Sequence, residues 1–248
     1  MKLTSTFKMC LSVLALLCSA NTFTYAAVIM TGTRIIFPAD QNEKTIHLQN
    51  KDNIPNIVQV WVDEGNEAST PDNTSAPFIA NPQIFKIAPK QGQIIRLIFT
   101  DNKSTLPTDR ESIFYFNFSE IPASKTTNAD KNKLMVVFKN RVKILYRPQR
   151  LAIQSHEIAS LLSYSINNQS SKITVKNNSP YYANIAELSM NLNGKKSLIH
   201  KNIMVAPFST GEWNLPVKNV NTSHAKVSIN LINDYGVITD NELKAQAE

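Results

Sequence analysis

The chain has 248 residues, a formal net charge of +7 and only two cysteines, which argues against a disulfide-rich protein and against a nucleic-acid-binding protein. Both cysteines lie within the first 26 residues, so we expect no disulfide in the rest of the chain. The positive charge is mild and contains no run of lysines, which argues against nucleic-acid binding. Beyond the N-terminus no stretch is long and apolar enough to span a bilayer, so we expect no membrane insertion.

The N-terminus has the pattern of a secretory signal peptide. Lys2 and Lys8 form a short basic region, residues 9–20 are mostly apolar, and Thr24 and Ala26 are the small residues of a cleavage site. We predict a signal peptide over residues 1–26, with cleavage after Ala27 and a retained anchor as alternatives. Removing the two lysines leaves a net charge of +5, from the +7 of the whole chain. The remaining part, about 220 residues, is long enough for one large or two ordinary domains.

Short apolar runs separated by turn residues begin at Val28, and this pattern predicts β-strands. In the first half the predicted strands cover residues 33–37, 44–49, 57–62, 84–87, 93–99 and 113–121. With the strand described next they number about seven, which is typical of an immunoglobulin-like sandwich. Because no cysteine pair is present, we expect Trp61 to pack in a core without a disulfide.

We expect residues 133–148 to organise this sandwich. Residues 134–138 are apolar at every position, whereas apolar and cationic residues alternate from Lys139 onward. The alternating part predicts a strand with one buried face, which Pro148 ends. The fully apolar part has more apolar surface than one sheet can cover, so a second sheet or a partner must cover it.

The strand pattern restarts after Pro148. The predicted strands of the second half cover residues 162–167, 172–176, 183–191, 197–205 and 225–231. Asn193-Gly194 predicts a two-residue hairpin, residues 209–211 predict a turn, and the polar tail after Tyr235 is expected to fray. The sequence therefore predicts an all-β protein with an N-terminal domain over residues 27–147 and a C-terminal domain over residues 148–248.

Residues that carry catalysis or bind metals are scarce and poorly spaced. The four histidines are far apart, and none has a neighbour at metal-ligand spacing. The chain contains no recognisable nucleophile motif, phosphate-binding loop or dinucleotide fingerprint. Asp63-Glu64 could act as an acid and a base, but at a strand end such a pair is more typical of a solvated turn. We therefore expect no enzymatic activity, no metal and no cofactor; a hydrolase on a β-sandwich is the weakest interpretation.

Several short motifs, in the same order across both halves, carry a resemblance to a known family. The first is the run Leu-Pro-Thr-Asp-Arg-Glu-Ser-Ile at residues 106–113, followed by Asn117 and by Ile-Pro-Ala at residues 121–123. The others lie at residues 33–37, 77–80, 91–93, 142–148, 179–182, 206–209 and 232–236. With these motifs the chain resembles the periplasmic pilus-assembly chaperones of the chaperone–usher pathway. Phe118 departs from the usual aliphatic residue, and we interpret Asn117, in the middle of an aromatic strand, as structural.

This resemblance implies two immunoglobulin-like β-sandwich domains in an L-shaped arrangement with a cleft between them. It implies donor-strand complementation, in which the chaperone lends a strand to a pilin subunit that lacks its own last strand. The implied partners are pilin or fimbrial subunits and an outer-membrane usher, and the implied location is the periplasm of a Gram-negative bacterium. The short polar segment of residues 123–133 resembles the short-loop branch of the family.

The donor positions of the family correspond to Leu134, Val136 and Phe138, within a donated strand of residues 134–146. These positions share strand parity with residues 142–146 of the expected core, so a regular strand would send both sets to one face. We therefore predict a bulge near residues 139–140 or a strand that leaves its own sheet. A regular, fully paired strand through Asn140 would count against the donor assignment.

Five charged residues receive roles from the same resemblance. Arg34 and Lys143 are implied to hold the C-terminal carboxylate of the subunit, through charge-assisted hydrogen bonds that fix its register. Glu111, Arg147 and Asp234 are implied to form an interdomain charge network that sets the angle between the domains.

The alternative function is a secreted two-domain β-sandwich module for adhesion or ligand binding. It would explain the signal peptide, the strands and the basic charge equally well. It would not explain the fully apolar stretch, or the joint presence of Arg34, Lys143 and the motif at residues 106–113. Exposed donor strands are a known hazard for self-association, and the sequence does not say whether the free protein self-associates through them.

Overall fold

The computed structural model describes residues 28–100, 105–122, 137–217, 220 and 225–246, and regular structure in these ranges is almost entirely β-strand. The strands before the 3₁₀ helix (Ser155–Leu161) are β1 (Val28–Met30), β2 (Arg34–Pro38), β3 (Glu43–Asn50), β4 (Asn56–Asp63), β5 (Phe78–Asn81), β6 (Ile84–Ile87), β7 (Gly92–Phe99), β8 (Ser112–Pro122) and β9 (Phe138–Arg147). Those after it are β10 (Leu162–Asn167), β11 (Lys172–Asn177), β12 (Ala183–Leu192), β13 (Lys195–Val205), β14 (Ser209–Asn214), β15 (Ala225–Ile232), β16 (Ile238–Glu242) and β17 (Lys244–Ala245). None of the helices in the described ranges is long and apolar enough to cross a membrane.

Strands β1 to β9 form the first sandwich from two sheets, in the orders β1-β3-β7-β5 and β2-β9-β8-β4-β6. Alternate apolar residues of both sheets face each other and form one buried core. Aromatic rings fill its centre: Phe37 contacts Phe78 edge-on with ring centroids 5.2 Å apart and stacks on Tyr146 at 6.0 Å. This aromatic packing holds the two sheets together without a disulfide.

Trp61 does not lie in this core, so the prediction made for it is wrong. The neighbouring residues Val60 and Val62 point inward, and Trp61 therefore projects from the outer face of β4. The ring is nevertheless only 7% exposed. The loop after β4 covers it, and its indole Nε1 donates a hydrogen bond to Ser69 Oγ at 3.0 Å.

Strands β10 to β17 form the second sandwich from sheets in the orders β14-β11-β10-β17 and β13-β12-β15-β16, around a separate apolar core. The predicted hairpin is confirmed: Asn193 and Gly194, both at positive φ, connect β12 to β13. The chain thus contains the two immunoglobulin-like sandwiches that its motifs imply. We propose that the domain boundary lies after Arg147, where β9 ends.

Two predictions for the second half are wrong. Residues 209–211 begin β14, which pairs with β11, and do not form a turn. Glycine at residue 211 leaves room for the ring of Trp213, which a Cβ there would overlap. The tail after Tyr235 does not fray as a whole, since β16 pairs with β15 and β17 pairs in parallel with β10.

Candidate functional site

Strand β9 is paired on both edges for only half of its length. On one edge β8 pairs with residues 138–146 in continuous antiparallel register. On the other edge β2 pairs in parallel with residues 143–147 only. Among the described residues, 138–142 therefore have one strand neighbour, and their other edge carries open backbone donors and acceptors. We call residues 138–142 the open half of β9 and residues 143–147 the closed half.

The bulge predicted near residues 139–140 is wrong, because Asn140 pairs with Phe118 without a register shift. Phe138 consequently shares the inner face with Ile144 and Tyr146. Those two residues are buried, but Phe138 is 62% exposed, because the core ends before it. The expected donor residue and the core residues thus share one face of the strand, and Phe138 is exposed because the sandwich does not cover this end of that face. The strand is regular, but it is fully paired only along the edge that faces β8.

Phe138 is the one expected donor residue that the structure describes. Leu134 and Val136 lie outside the described residues, as does the polar segment of residues 123–133. Val137, immediately before β9, is 47% exposed. The apolar stretch therefore enters β9 with two exposed side chains, one on each side of the strand.

Arg34 and Lys143 lie directly opposite each other on the parallel strands β2 and β9, so their side chains leave the same face of the sheet. This is the outer face, because the next residue of β2, Ile35, points into the core. Lys143 Nζ donates to Asn184 Oδ1 at 2.7 Å, and Arg34 Nη1 donates to the carbonyl oxygen of Ile232 at 3.1 Å. Both acceptors belong to the second sandwich. The structure thus brings the predicted pair together in the cleft between the sandwiches.

The surroundings of these two cations disfavour their charge. Burial lowers the pKa of Lys143, and the neighbouring charge of Arg34 lowers it further. Burial also lowers the pKa of Arg34, although the charges of Asp234 and Glu111 oppose this effect. Arg34 Nε is buried and has no hydrogen-bond partner within the described part of the chain. Two adjacent cations with an unused buried donor form a suitable site for one carboxylate.

Arg147, the last residue of β9, connects the two sandwiches. Its Nε donates to Glu111 Oε1 at 2.8 Å, and its two terminal nitrogens donate to the two oxygens of Asp234, each at 2.7 Å. Ser155, at the start of the 3₁₀ helix, also donates to Asp234 at 2.8 Å. The three residues predicted to form a charge network are therefore in direct contact.

The two acids of this network have opposite pKa shifts. Burial raises the pKa of Glu111, although Arg147 and the N–H of Tyr182 oppose it. For Asp234 burial also acts upward, but the hydrogen bonds and charge of Arg147 outweigh it and hold the pKa below its ordinary value. The backbone N–H of Glu111 also donates to the carbonyl oxygen of Pro180 at 2.9 Å. Glu111 is therefore attached to the second sandwich independently of Arg147.

A cavity of about 120 Å³ lies between the sandwiches, with Arg34, Glu111, Arg147 and Asp234 in its wall. A larger cavity of about 340 Å³ lies at the interdomain connection, where Pro148, Gln149 and Arg150 form part of its wall. We take the smaller cavity as part of the candidate site, because Arg34 of the cation pair and Asn184, the partner of Lys143, line it. Within the described ranges, no three His, Cys, Asp or Glu side chains are arranged to hold a metal ion.

A buried polar cluster beside the cation pair was not predicted from the sequence. Asp63 was expected in a solvated turn, but it is only 2% exposed. It accepts hydrogen bonds at 2.7 Å from both Arg141 on β9 and Asn117 on β8. The guanidinium of Arg141 lies 3.4 Å from the ring centre of Tyr115. The available signal was the spacing of cations at residues 139, 141 and 143, which places all three on one face of β9.

This cluster attaches the open half of β9 to the loop after β4. Lys139 Nζ donates to the carbonyl oxygen of Glu67 at 2.5 Å and lies 5.6 Å from the ring centre of Trp61. Burial acts to raise the pKa of Asp63, but the hydrogen bonds from Arg141 and Asn117 outweigh it and hold the pKa below its ordinary value. Asn117 is fully buried in β8, which confirms its structural role.

Two family profiles match the chain and together cover most of it. Residues 27–152 match the N-terminal domain of the PapD pili and flagellar-assembly chaperones, and residues 157–243 match the C-terminal domain of the PapD pili assembly chaperones. The probable fimbrial chaperone YadV of Escherichia coli K12 is 34% identical over 215 residues, which are 85% of this chain and 87% of YadV. The chaperone protein HifB of Haemophilus influenzae is 36% identical over 225 residues, 89% of each chain.

Solved structures agree with these matches. The crystal structure of the YadV chaperone superposes with a TM-score of 0.75 at 32% identity, over 88% of this chain and 98% of that chain. The SafB chaperone of Salmonella enterica, solved in complex with the SafA pilin, superposes with a TM-score of 0.73 over 90% and 98% of the two chains. Its identity of 23% shows the fold alone. The comparisons do not favour a module for adhesion or ligand binding. This chain belongs to the PapD family of pili assembly chaperones.

Proposed function

We propose that the protein is a periplasmic chaperone that captures pilin-like subunits by donor-strand complementation and delivers them to an outer-membrane usher. The observation that carries this proposal is the continuity of β9. Its open half, residues 138–142, leads directly into the cation pair of Arg34 and Lys143. A strand that pairs with the open half therefore ends in a site suited to a carboxylate.

The open half of β9 supplies the means of binding an incomplete sheet. Its unpaired backbone groups can hydrogen-bond to the edge strand of a subunit, while side chains from one face fill an apolar groove. Phe138, 62% exposed, is the described candidate for this groove. Complete burial of such a side chain contributes about 1.5–3 kcal/mol. We propose Leu134 and Val136 as the further donor residues.

The cation pair would fix the register of the subunit strand. β2 begins at Arg34, opposite Lys143, so a strand along the open half lies in line with β2 and ends where β2 begins. With its terminal carboxylate at the two cations, this strand must run in the same direction as β9. Register matters because a slip of one residue moves every side chain to the opposite face.

The contacts of Arg147 would keep the cleft in the required geometry. The cation pair belongs to the first sandwich, whereas the groups that orient it, Asn184 and the Ile232 carbonyl, belong to the second. The bonds from Arg147 to Glu111 and Asp234 fix one sandwich against the other. We assign these contacts to orientation, since ion pairs at a partly exposed interface add little stability.

We propose that capture needs no enzymatic step, nucleotide or metal, because strand pairing and one ion pair account for it. The relatives YadV and HifB are named as chaperones. The proposed location is the periplasm of a Gram-negative bacterium, supported by the signal pattern of residues 1–26 and by the bacterial sources of these relatives. A pilin partner is supported by the SafB structure, in which a chaperone of this fold holds a pilin.

The test is co-purification from the periplasm with the products of neighbouring fimbrial genes. It compares wild type, Lys143→Ala and the control Lys172→Ala, which alters an exposed lysine of the second sandwich. We expect a stoichiometric small subunit with the wild type and the control, and none with Lys143→Ala. If the wild type retains no subunit, the proposed function is wrong. If the subunit persists with Lys143→Ala, the carboxylate site is wrong but the chaperone function stands.

A further inference from the structure

Glu120 is a buried carboxylate at the open end of the first sandwich, and the proposed capture of a subunit does not use it. It is 4% exposed and lies on β8 directly opposite Phe138. Its Oε2 accepts a hydrogen bond from the backbone nitrogen of Val28 at 2.6 Å. Its Oε1 is buried and has no hydrogen-bond partner in the described ranges. A buried carboxylate satisfied at one oxygen destabilises a fold unless a cation meets it.

The described surroundings of Glu120 do not supply that cation. Glu120 takes part in none of the ion pairs among the described residues. Burial raises the pKa of Glu120, and the negative charge of Asp52 adds to this shift against the opposing Val28 hydrogen bond. The carboxylate therefore faces a charge of its own sign and one neutral donor.

The neighbouring Val28 lies at the predicted start of the mature chain. Cleavage after Ala26 makes Ala27 the first residue, and the N-terminal family match begins there. Only three covalent bonds join consecutive backbone nitrogens, so the nitrogen of residue 27 is within about 4 Å of the Val28 nitrogen that already contacts Glu120. With the alternative cleavage after Ala27, the terminal ammonium is the Val28 nitrogen itself. Either product carries its new positive charge to the same carboxylate.

We propose that Glu120 binds the N-terminal ammonium of the mature chain, a group that exists only after the signal peptide has been removed. The ammonium has three hydrogens and donates one to Oε1, while the nitrogen of Val28 continues to donate a hydrogen bond to Oε2. In the precursor a neutral peptide N–H takes the place of the ammonium, so the carboxylate remains without a counter-charge. Cleavage of the signal peptide thereby completes this end of the sandwich.

The position of Glu120 gives this contact a structural consequence. Val28 begins β1, in one sheet of the sandwich, whereas Glu120 lies in β8, in the other sheet. The ion pair therefore joins the two sheets at the end where β9 begins its open half. β1 is only three residues long, and the ion pair adds to its few ladder bonds with β3. The mature N-terminus then stabilises the end of the sandwich from which Phe138 projects.

A double-mutant cycle on the full mature chain tests the proposal. A Gly-Ser insertion between Ala26 and Ala27 displaces the ammonium by two residues, and Glu120→Gln removes the carboxylate charge. We expect the insertion to lower the folding equilibrium constant about tenfold with Glu120 present, and less than about twofold in the Glu120→Gln background. Glu43→Gln, at an exposed carboxylate of the same sandwich, is the matched control and leaves the tenfold effect intact. Equal effects of the insertion in the wild type and in the Glu120→Gln variant overturn the proposal.

Chemical labelling provides a second test that does not depend on the stability of Glu120→Gln. An ammonium paired with a buried carboxylate holds its proton more tightly, so it reacts more slowly with an acylating reagent near pH 7. We expect the N-terminus of the native wild type to react about tenfold more slowly than that of the same protein in denaturant. Equal rates contradict the proposal. A lysine side chain is the alternative cation for Glu120. The proposal is also wrong if replacing Lys125, Lys131 or Lys133 with alanine has an effect on stability that depends on Glu120, while the effect of the insertion does not.

Discussion

The two halves of β9 have the same pairing with β8 but opposite surroundings on their other edge. In the closed half, β2 covers the second edge, and Ile144 and Tyr146 are 0% and 2% exposed. In the open half no described strand covers that edge, and Phe138 is 62% exposed. One regular strand thus completes its own sheet in the closed half and leaves one edge unpaired in the open half. A free edge for a partner requires no irregular backbone, only a neighbouring strand that begins partway along β9.

The two halves are also held in place by different interactions. The closed half is fixed by hydrogen bonds on both edges and by the core. The open half is fixed from its outer face, where Arg141 bonds to buried Asp63 and Lys139 bonds to the loop after β4. These side-chain contacts leave the unpaired edge free while they hold the strand against β8. They therefore explain how an exposed edge can be kept in an extended, binding-competent form.

The largest effect is expected at the boundary between the two halves. Arg34→Ala or Lys143→Ala removes one partner of the proposed carboxylate site, which typically costs about 2–5 kcal/mol in binding. We expect the dissociation constant for a pilin subunit to rise roughly 30- to 4,000-fold. Stability of the free protein should not fall, because burial disfavours both charges and Arg34 further disfavours the charge of Lys143. Titration with an isolated subunit measures the first effect, and denaturant unfolding measures the second.

A subunit that ends in an amide in place of a carboxylate provides the matched control for this prediction. It should bind wild type and Lys143→Ala about equally. If the amide subunit still loses affinity on Lys143→Ala, the lysine acts through the cleft and not through the carboxylate.

The next largest effect is expected in the open half itself. Phe138→Asp replaces the exposed donor side chain with a charge that an apolar groove excludes. We expect the affinity for a subunit to fall about 10- to 100-fold, from the loss of the apolar contact alone. Folding stability should fall by no more than about 1 kcal/mol, since Phe138 is outside the core and the new charge faces only Glu120 across the strand pair. The control is Leu198→Asp, at an exposed position of the edge strand β13 in the second sandwich; equal losses in both variants would contradict the donor role.

A smaller effect is expected at the outer-face cluster. Asp63→Asn leaves Arg141 without its counter-charge, and we expect the free energy of unfolding to fall by about 2 kcal/mol. The value is below that of a fully buried ion pair because the Arg141 side chain is still 18% exposed. Urea unfolding measures it, with Asp72→Asn, at an exposed position of the following loop, as control. Unchanged stability in Asp63→Asn would show that the cluster does not hold the open half.

The smallest effect is the pH dependence of the same contact. The hydrogen bonds to Asp63 lower its pKa in the folded state, so folding favours the charged carboxylate. Its contribution is complete above the ordinary pKa of 3.8 and is lost as the pH falls through the lower, folded-state value. The difference in unfolding free energy between wild type and Asp63→Asn should therefore shrink below pH 3.8. A difference that stays constant down to pH 2 would contradict this assignment.

Local pattern predicted most of the strands but not the contacts between distant segments. Residues 84–87 and 162–167 were predicted with the bounds that the structure has, because apolar runs and turn residues are local signals. The placement of Trp61 failed because its burial depends on a loop that folds over the outer face. The strand at residues 209–214 was missed because Gly211, required for space beside Trp213, has the same local signal as a turn.

The candidate site depended even more on nonlocal structure. The parallel register that places Arg34 beside Lys143 joins segments more than 100 residues apart, and the resemblance to a family, not the spacing, predicted it. Periodicity correctly placed Phe138 on the inner face. It could not show where the opposite sheet ends, and this led to the incorrect prediction of a bulge.

The most direct test of the account is hydrogen–deuterium exchange along β9, with and without a bound pilin subunit. Exchange at two protein concentrations first shows whether free molecules cover the open half by self-association. Within residues 138–142, we expect the amides that point to the open edge to exchange rapidly in the free protein and to become protected in the complex, whereas residues 143–147 are protected in both. Protection that appears elsewhere in the first sandwich while residues 138–142 remain unchanged would contradict capture through the open half of β9.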